Sequence, residues 1–104
     1  MRRIIDSDFH GDMSEAELKR LVVGYARLHG WAVYHVPMTT MRNGGGSGYP
    51  DLTLARDGEV LWMELKTETG VLSKLQGQWI EALPFAHIIR PSQWNNGRVA
   101  ELLA

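Results

Sequence analysis

The chain has 104 residues, of which 44% are hydrophobic, with no cysteine and a formal net charge of −1. This length suits a single domain, so we treat residues 1–104 as one domain. The lack of cysteine excludes disulfides and thiolate metal sites and is typical of proteins in a reducing cytoplasm. No apolar run approaches the ~18 residues of a membrane span, and the N-terminal residues lack a signal-peptide core. We therefore expect a cytoplasmic protein that has no membrane partner.

Hydrophobic spacing and turn residues predict an α/β fold in the order α-β-β-β-α-β-α. Capping-box patterns begin the first two helices, and glycine or proline ends most elements. A β-α-β unit late in the chain requires a parallel strand pair, so the central sheet should be mixed and flanked by helices. Residues 1–12 show no pattern and are left as an arm, an extra strand or disorder. The predicted elements are a helix over 14–30, strands over 31–36, 51–56 and 59–67, a helix over 73–83, a strand over 86–90 and a helix over 93–103.

The Asp57-Gly58 pair is the most informative local signal, because it is typical of a two-residue hairpin turn. Counting outward from this turn places Asp51 directly opposite Glu64. Opposed residues have Cβ atoms roughly 5 Å apart, so two carboxylates there repel each other unless a cation neutralises them. The same count predicts three further pairs, which are Arg56 with Glu59, Leu54 with Leu61, and Leu52 with Met63.

Strand periodicity adds a lysine to the two carboxylates. Glu64 and Lys66 are two residues apart, so they should share one face of the sheet. Carboxylates suit Mg²⁺ or Mn²⁺, and a lysine beside them can stabilise the charge that develops when a phosphodiester is cleaved. The alternative is a surface hairpin in which Asp51, Glu64 and Lys66 form ordinary ion pairs, worth ~0–1 kcal/mol each.

Three further residues are candidate nucleic-acid contacts. They are Arg42 on the glycine-rich loop, Lys74 at the start of the second helix, and His35 at the end of the first strand. The alternative for His35 is a structural histidine. A net charge of −1 counts against a nucleic-acid partner, but a bound divalent ion changes the local sign of a site. We also expect Lys66 and Arg90 to lie near the same edge of the sheet.

Several short motifs follow one another over roughly residues 13–92: Ser14-Glu15-Ala16 with Gly30-Trp31, Gly48-Tyr49-Pro50-Asp51-Leu52, Glu64-Leu65-Lys66, and Leu72-Ser73 with Gln76 and Trp79. In this order they resemble the PD-(D/E)xK, or restriction-endonuclease-like, superfamily. Within it the chain is most similar to the VRR-NUC family, in the short stand-alone form found in bacteriophages and bacteria.

The resemblance implies a restriction-endonuclease-like core with a metal site. Its ligands would be Asp51, Glu64 and the main-chain carbonyl of Leu65, with Lys66 beside them and Mg²⁺ or Mn²⁺ as cofactor. The sequence departs from the family over residues 67–70, which are more acidic than expected near DNA.

The resemblance also implies a glutamate on the first helix that helps to hold metal or water. We choose Glu15, because Glu17 is already explained by the capping box; the alternative for Glu15 is a first-turn acid favoured by the helix dipole. Gln76 matches the family's glutamine on the second helix, where it would hold Lys66 or a phosphate. The alternative for Gln76 is a capping box with Ser73.

The expected function is that of a metal-dependent endonuclease that hydrolyses DNA phosphodiester bonds in a bacterial or phage-infected cell. Stand-alone members of the family resemble Holliday-junction resolvases, so branched DNA is the expected substrate. A symmetric homodimer would supply one site for each strand. The alternatives are a non-catalytic nucleic-acid-binding module of the same fold, a small structural or interaction protein, and a nuclease that acts on flaps, single-stranded DNA or RNA.

Overall fold

The computed structural model describes residues 13–37 and 48–104, and the predictions for residues 1–12 and for the loop over 38–47 lie outside the described residues. No helix in the described ranges is both long enough and apolar enough to cross a membrane. The elements in chain order are α1 (Glu15–Leu28), β1 (Ala32–His35), β2 (Leu52–Arg56), β3 (Glu59–Leu65), α2 (Lys74–Ala82), β4 (Ala86–Ile89), α3 (Pro91–Asn95) and α4 (Arg98–Leu103).

The predicted order is confirmed up to the last helix, which is two helices instead of one. Gly97 has φ +88° and therefore leaves the right-handed helical region, and this separates α3 from α4. The first of the two begins at Pro91, earlier than predicted. Proline is well suited to the first helical position because its fixed φ is helical and its missing N–H has no intrahelical partner there.

The sheet has four strands in the order β1-β2-β3-β4. The first two pairings are antiparallel, whereas β3 and β4 are parallel and are connected through α2. The predicted α/β class, with a mixed central sheet and flanking helices, is thus confirmed.

The hairpin register also agrees with the sequence count. Asp57 has φ 50° and Gly58 has φ 83°, so both residues of the turn lie in the left-handed region that such a turn requires. The pairs between β2 and β3 are Arg56 with Glu59, Ala55 with Val60, Leu54 with Leu61, Thr53 with Trp62, and Leu52 with Met63.

Alternation along the strands gives the two faces of the sheet different roles. One face carries the core and is covered by α1 and the C-terminal helices, while the other carries Glu64 toward α2. The buried apolar residues of the core are Met13, Leu18, Val22, Ala26, Trp31, Leu52, Leu54, Leu61, Met63, Leu65, Ile89, Val99 and Leu103.

Candidate active site

Asp51 and Glu64 lie at the same end of the sheet. The N–H of Leu65, the last residue of β3, donates to Asp51 Oδ2 at 2.8 Å. Asp51 was predicted to begin this strand, but it stands one residue before β2, because Pro50 has no amide hydrogen with which to continue the ladder. The turn count therefore located the two carboxylates correctly, although the strand itself begins at Leu52.

Glu64 is the only charged or polar residue among those described that is buried, with 2% of its surface exposed. Its Oε2 accepts a hydrogen bond from Gln76 Nε2 at 2.9 Å and lies 4.0 Å from Lys66 Nζ. Its Oε1 is buried and has no hydrogen-bond partner among the described residues. Burial first, and then the charge of Asp51, raise the pKa of Glu64 to about 8, while Lys66 acts in the opposite direction. At neutral pH the metal-free protein therefore holds a proton on this carboxyl group.

The two carboxylates suit a hard divalent cation. Mg²⁺ is commonly bound through one or two carboxylates and keeps several of its waters. No group of three or more histidine or acidic side chains in the described ranges is placed to hold a metal ion. The side-chain ligands here would thus be Asp51 and Glu64, and the ion would give the buried Oε1 of Glu64 an opposite charge. Leu65, whose main-chain carbonyl is the third predicted ligand, is the last residue of β3 and directly follows Glu64.

Glu15, predicted to complete the metal site, does not form a three-acid metal-binding group with Asp51 and Glu64 in the described ranges. It is the first residue of α1 and is exposed, whereas the buried residues of the helix begin at Leu18. An acid in the first turn is favoured by the helix dipole, which was the alternative reading of this residue. Glu17 makes the predicted capping box, in which Ser14 N donates to Glu17 Oε1 at 3.2 Å and Glu17 N donates to Ser14 Oγ at 3.1 Å.

Gln76 makes the capping box that was its predicted alternative, and it also contacts the site, through Glu64. Its Oε1 accepts from the N–H of Ser73 at 2.8 Å, and its own N–H donates to Ser73 Oγ at 3.1 Å, which completes a capping box at the start of α2. Its Nε2 donates to Glu64 at 2.9 Å. The contact is with Glu64 and not with the predicted Lys66. One amide can do both because its oxygen and its nitrogen point in different directions.

Substitutions at Gln76 and Ser73 separate these two roles. Ser73→Ala removes the hydroxyl of the cap, and we expect it to lower the free energy of unfolding by about 1 kcal/mol while metal affinity is unchanged. Gln76→Ala also removes the bond to Glu64, and loss of such a supporting contact typically lowers metal affinity by about 10- to 100-fold. Urea unfolding and calorimetric titration with Mn²⁺ measure the two effects. Equal metal affinity in the two variants would contradict a role for Gln76 in the site.

Arg90 fixes the turn that follows Lys66, a contact that sequence reasoning missed. Its guanidinium donates to three main-chain carbonyls within residues 67–70, at distances of 2.7 to 3.2 Å. Glu68 in the same turn accepts from the N–H of Ser92 at 3.0 Å. Glu68 therefore has a structural role in this turn. Arg90 lies near the predicted edge of the sheet, but its guanidinium is used in hydrogen bonds within the protein.

The predicted nucleic-acid contacts fall in different places. Lys74 is exposed at the first position of α2, two residues before Gln76. It therefore lies on the same side of the sheet as Glu64. His35 is exposed at the end of β1 and pairs with Leu52, so its side chain lies on the α1 face of the sheet. Arg42 lies outside the described residues.

The segment that precedes Asp51 is held by close packing. Trp62 Nε1 donates to Tyr49 Oη at 2.8 Å, and the rings of Tyr49 and Trp79 meet edge to face with centroids 4.9 Å apart. A side chain at Gly48 would place its Cβ 2.5 Å from the main chain of Leu75. These contacts dock the segment against β3 and α2, and so hold Asp51 beside Glu64.

The described chain thus brings Asp51, Glu64, Lys66 and Gln76 together at one end of the sheet. No protein-family model, no curated protein and no solved structure matches this chain. The chemistry that the site supports follows from these four side chains and their surroundings.

Proposed function

We propose that this protein is a metal-dependent endonuclease that hydrolyses DNA phosphodiester bonds at the site formed by Asp51, Glu64 and Lys66. The observation that carries the proposal is the buried Glu64, which has one oxygen without a partner and stands beside a second carboxylate. Burial of an acid in this arrangement destabilises the fold unless a cation binds there. A mixed sheet that carries the site at the start of β2 and the end of β3 suits a restriction-endonuclease-like core of the VRR-NUC type.

Each side chain has a separate part in the proposed reaction. Bound Mg²⁺ or Mn²⁺ would activate water and offset the charge of the scissile phosphate. Asp51 and Glu64 would hold the ion, and Glu64 would release its proton when the ion binds. Gln76 binds Oε2 of Glu64 and leaves Oε1 for the cation. Lys66, whose side chain is 14% exposed and whose Nζ lies 4.0 Å from Glu64 Oε2, would offset the negative charge that develops on the phosphate.

The test is cleavage of labelled four-way junction, flap, duplex and single-stranded DNA with Mg²⁺ or Mn²⁺. We expect metal-dependent cutting that falls by about 10²-fold or more in Lys66→Ala and Glu64→Gln. Glu59→Gln is a matched control, because it is the same substitution at an exposed position of the same strand. Cutting that survives in both site variants would show that Glu64 and Lys66 do not belong to the active site. Binding of metal and DNA without any cutting would favour a non-catalytic binding module.

Branched DNA and a homodimer belong to the same proposal. One small chain carries one such site, whereas a Holliday junction offers two strands to cut, and a twofold symmetric dimer matches that symmetry. Sedimentation at micromolar concentration measures the oligomeric state, and a pure monomer would contradict the dimer. Preferential cutting of single-stranded DNA or RNA over the four-way junction would contradict branched DNA as the substrate.

A further inference from the structure

The outward face of α1 and the end of β1 form a shallow cleft of about 360 Å³ whose polar lining is basic. Its charged side chains are Lys19, Arg20 and Arg27, and His35 closes one end. None of the described residues that line it is acidic, and Gly24 leaves part of the helix surface without a side chain. We call this surface the α1 groove.

The three cations of the α1 groove are not held by any other residue that the structure describes. Lys19, Arg20 and Arg27 have no hydrogen bond or ion pair within residues 13–37 and 48–104, and Lys74 is the one other such cation there. A chain with a net charge of −1 thus concentrates three free positive charges on one helix face. Such local asymmetry attracts a polyanion even when the net charge does not. The remaining described cations bind other parts of the protein, and these are Arg56, Lys66, Arg90 and Arg98.

The α1 groove lies on the α1 face of the sheet, opposite the face that carries Glu64, and it begins at the same end of the sheet as the site. His35 pairs with Leu52, the residue after Asp51, and the N–H of Val36 donates to the carbonyl of Asp51 at 3.2 Å. Since only a short turn separates α1 from β1, the strand runs back along the helix. The first half of α1 therefore lies beside His35, and the groove continues from there toward Arg27.

The length of the α1 groove suits a nucleic-acid strand. Lys19 and Arg27 are eight residues apart, which is roughly 12 Å along a helix at 1.5 Å per residue. One strand of a DNA duplex advances about 3.4 Å per phosphate, so this distance covers three or four phosphates. A lipid surface is a poor match, because the apolar face of α1 is buried in the core and cannot insert into a membrane.

On the basis of the nuclease function proposed above, we propose that the α1 groove binds the phosphodiester backbone of the DNA strand that extends from the active site. Arg20 and Arg27 are exposed and would contact phosphates directly, and the half-buried Lys19 would add a third positive charge. Contacts of this kind position the duplex without reading its sequence. Binding should therefore be insensitive to sequence and strongly dependent on salt.

The experiment measures binding of fluorescent duplex DNA by anisotropy in EDTA, where no cleavage occurs, over a range of salt concentrations. Arg20→Gln and Arg27→Gln each remove one positive charge and keep a good helix former. The control is Arg98→Gln, which removes one charge at a residue of α4 that is paired with Glu101 and does not line the groove. We expect the slope of log affinity against log salt to fall by about 0.9 for each lost contact in the groove variants, and to stay unchanged in the control. Circular dichroism and thermal melting establish that each variant is folded.

The outcomes separate this inference from the nuclease proposal. A reduced slope in the groove variants would support the α1 groove even if no cleavage were found with any metal. Metal-dependent cleavage together with unchanged salt slopes in the groove variants would contradict DNA binding by the α1 groove and leave the nuclease proposal intact. The groove would also be overturned if the wild-type protein bound no DNA, or if it bound single-stranded RNA more tightly than DNA at the same salt.

Discussion

Replacing Glu64 by glutamine should abolish metal-dependent cleavage and, in the same protein, increase the stability of the metal-free fold at neutral and alkaline pH. Glu64 is buried beside Asp51, and its pKa is raised to about 8 from an ordinary value of 4.5. Glutamine has nearly the same shape, can still accept from Gln76, and carries no charge at any pH. Glu64, which we propose holds the metal, thus makes the metal-free fold less stable than a neutral side chain at the same position would.

The direction of the pH effect follows from the raised pKa of Glu64. Between pH 4.5 and about 8 the folded protein keeps a proton that the unfolded chain has lost. The contribution of Glu64 to stability is therefore greatest below pH 4.5 and is lost as the pH rises through 8. Relative to the wild type, Glu64→Gln should gain about 1.4 kcal/mol of unfolding free energy for each pH unit within that window.

Urea unfolding in EDTA from pH 5 to pH 9 measures this difference. Burial, and then the charge of Arg98, lower the pKa of His87, but this effect is common to both proteins and cancels in their difference. Adding Mn²⁺ at pH 8 should stabilise the wild type and leave Glu64→Gln unchanged, because only the wild type binds the ion tightly. Stability curves that run parallel over the whole pH range would contradict the raised pKa of Glu64.

Gly48→Ala should give the largest loss of stability among single-residue changes near the site. Gly48 has φ +85°, and an added Cβ would lie 2.5 Å from the main-chain carbon of Leu75 and 2.6 Å from the main-chain nitrogen of Gln76. The neighbouring atoms are backbone of the first turn of α2 and cannot rotate away. Either the loop or the helix must move, which would also displace Gln76 from Glu64. We expect a loss of about 2–5 kcal/mol, from left-handed strain and overpacking together, and a large loss of activity.

Gly58→Ala is the matched control for this prediction. Gly58 has φ +83°, but its added Cβ would have no neighbour within 4 Å. Its substitution therefore measures the cost of the left-handed conformation alone, roughly 1–2 kcal/mol. Thermal melting and urea unfolding measure the loss of stability in each variant, and the difference between the two losses is the cost of the close approach at Gly48. Equal losses in both would show that Gly48 is needed only for its backbone angle.

Local patterns were sufficient for the hairpin that carries the site. A two-residue turn and a strand period of two are geometric rules that act over a few residues, so counting from Asp57-Gly58 located Asp51 opposite Glu64. The same rules placed Lys66 on the face of Glu64, where the structure has it at 4.0 Å. Helical counting could not decide Glu15, because a residue in the first turn can point to solvent even when the helix face behind it is buried.

Contacts between elements distant in the chain could not be predicted in this way. The bond between Gln76 and Glu64 joins residues 12 positions apart, and the burial of Glu64 depends on how α2 covers the sheet. The α1 groove has a signal in the sequence, since Lys19, Arg20 and Arg27 recur at helical spacing. Only the structure shows that no described residue is paired with them and that His35, at the end of β1, lines the same groove.

By itself, the sequence determined the order of the elements up to the last helix, the mixed sheet and the register that opposes Asp51 and Glu64. These depend on turn chemistry, capping and periodicity, which are properties of neighbouring residues. The tertiary structure alone decided that Glu64 is buried with a raised pKa, that Gln76 both caps α2 and binds Glu64, and that Glu15 is exposed. Burial and electrostatic coupling depend on the distances between packed elements, and these distances are set only when helix and sheet come together.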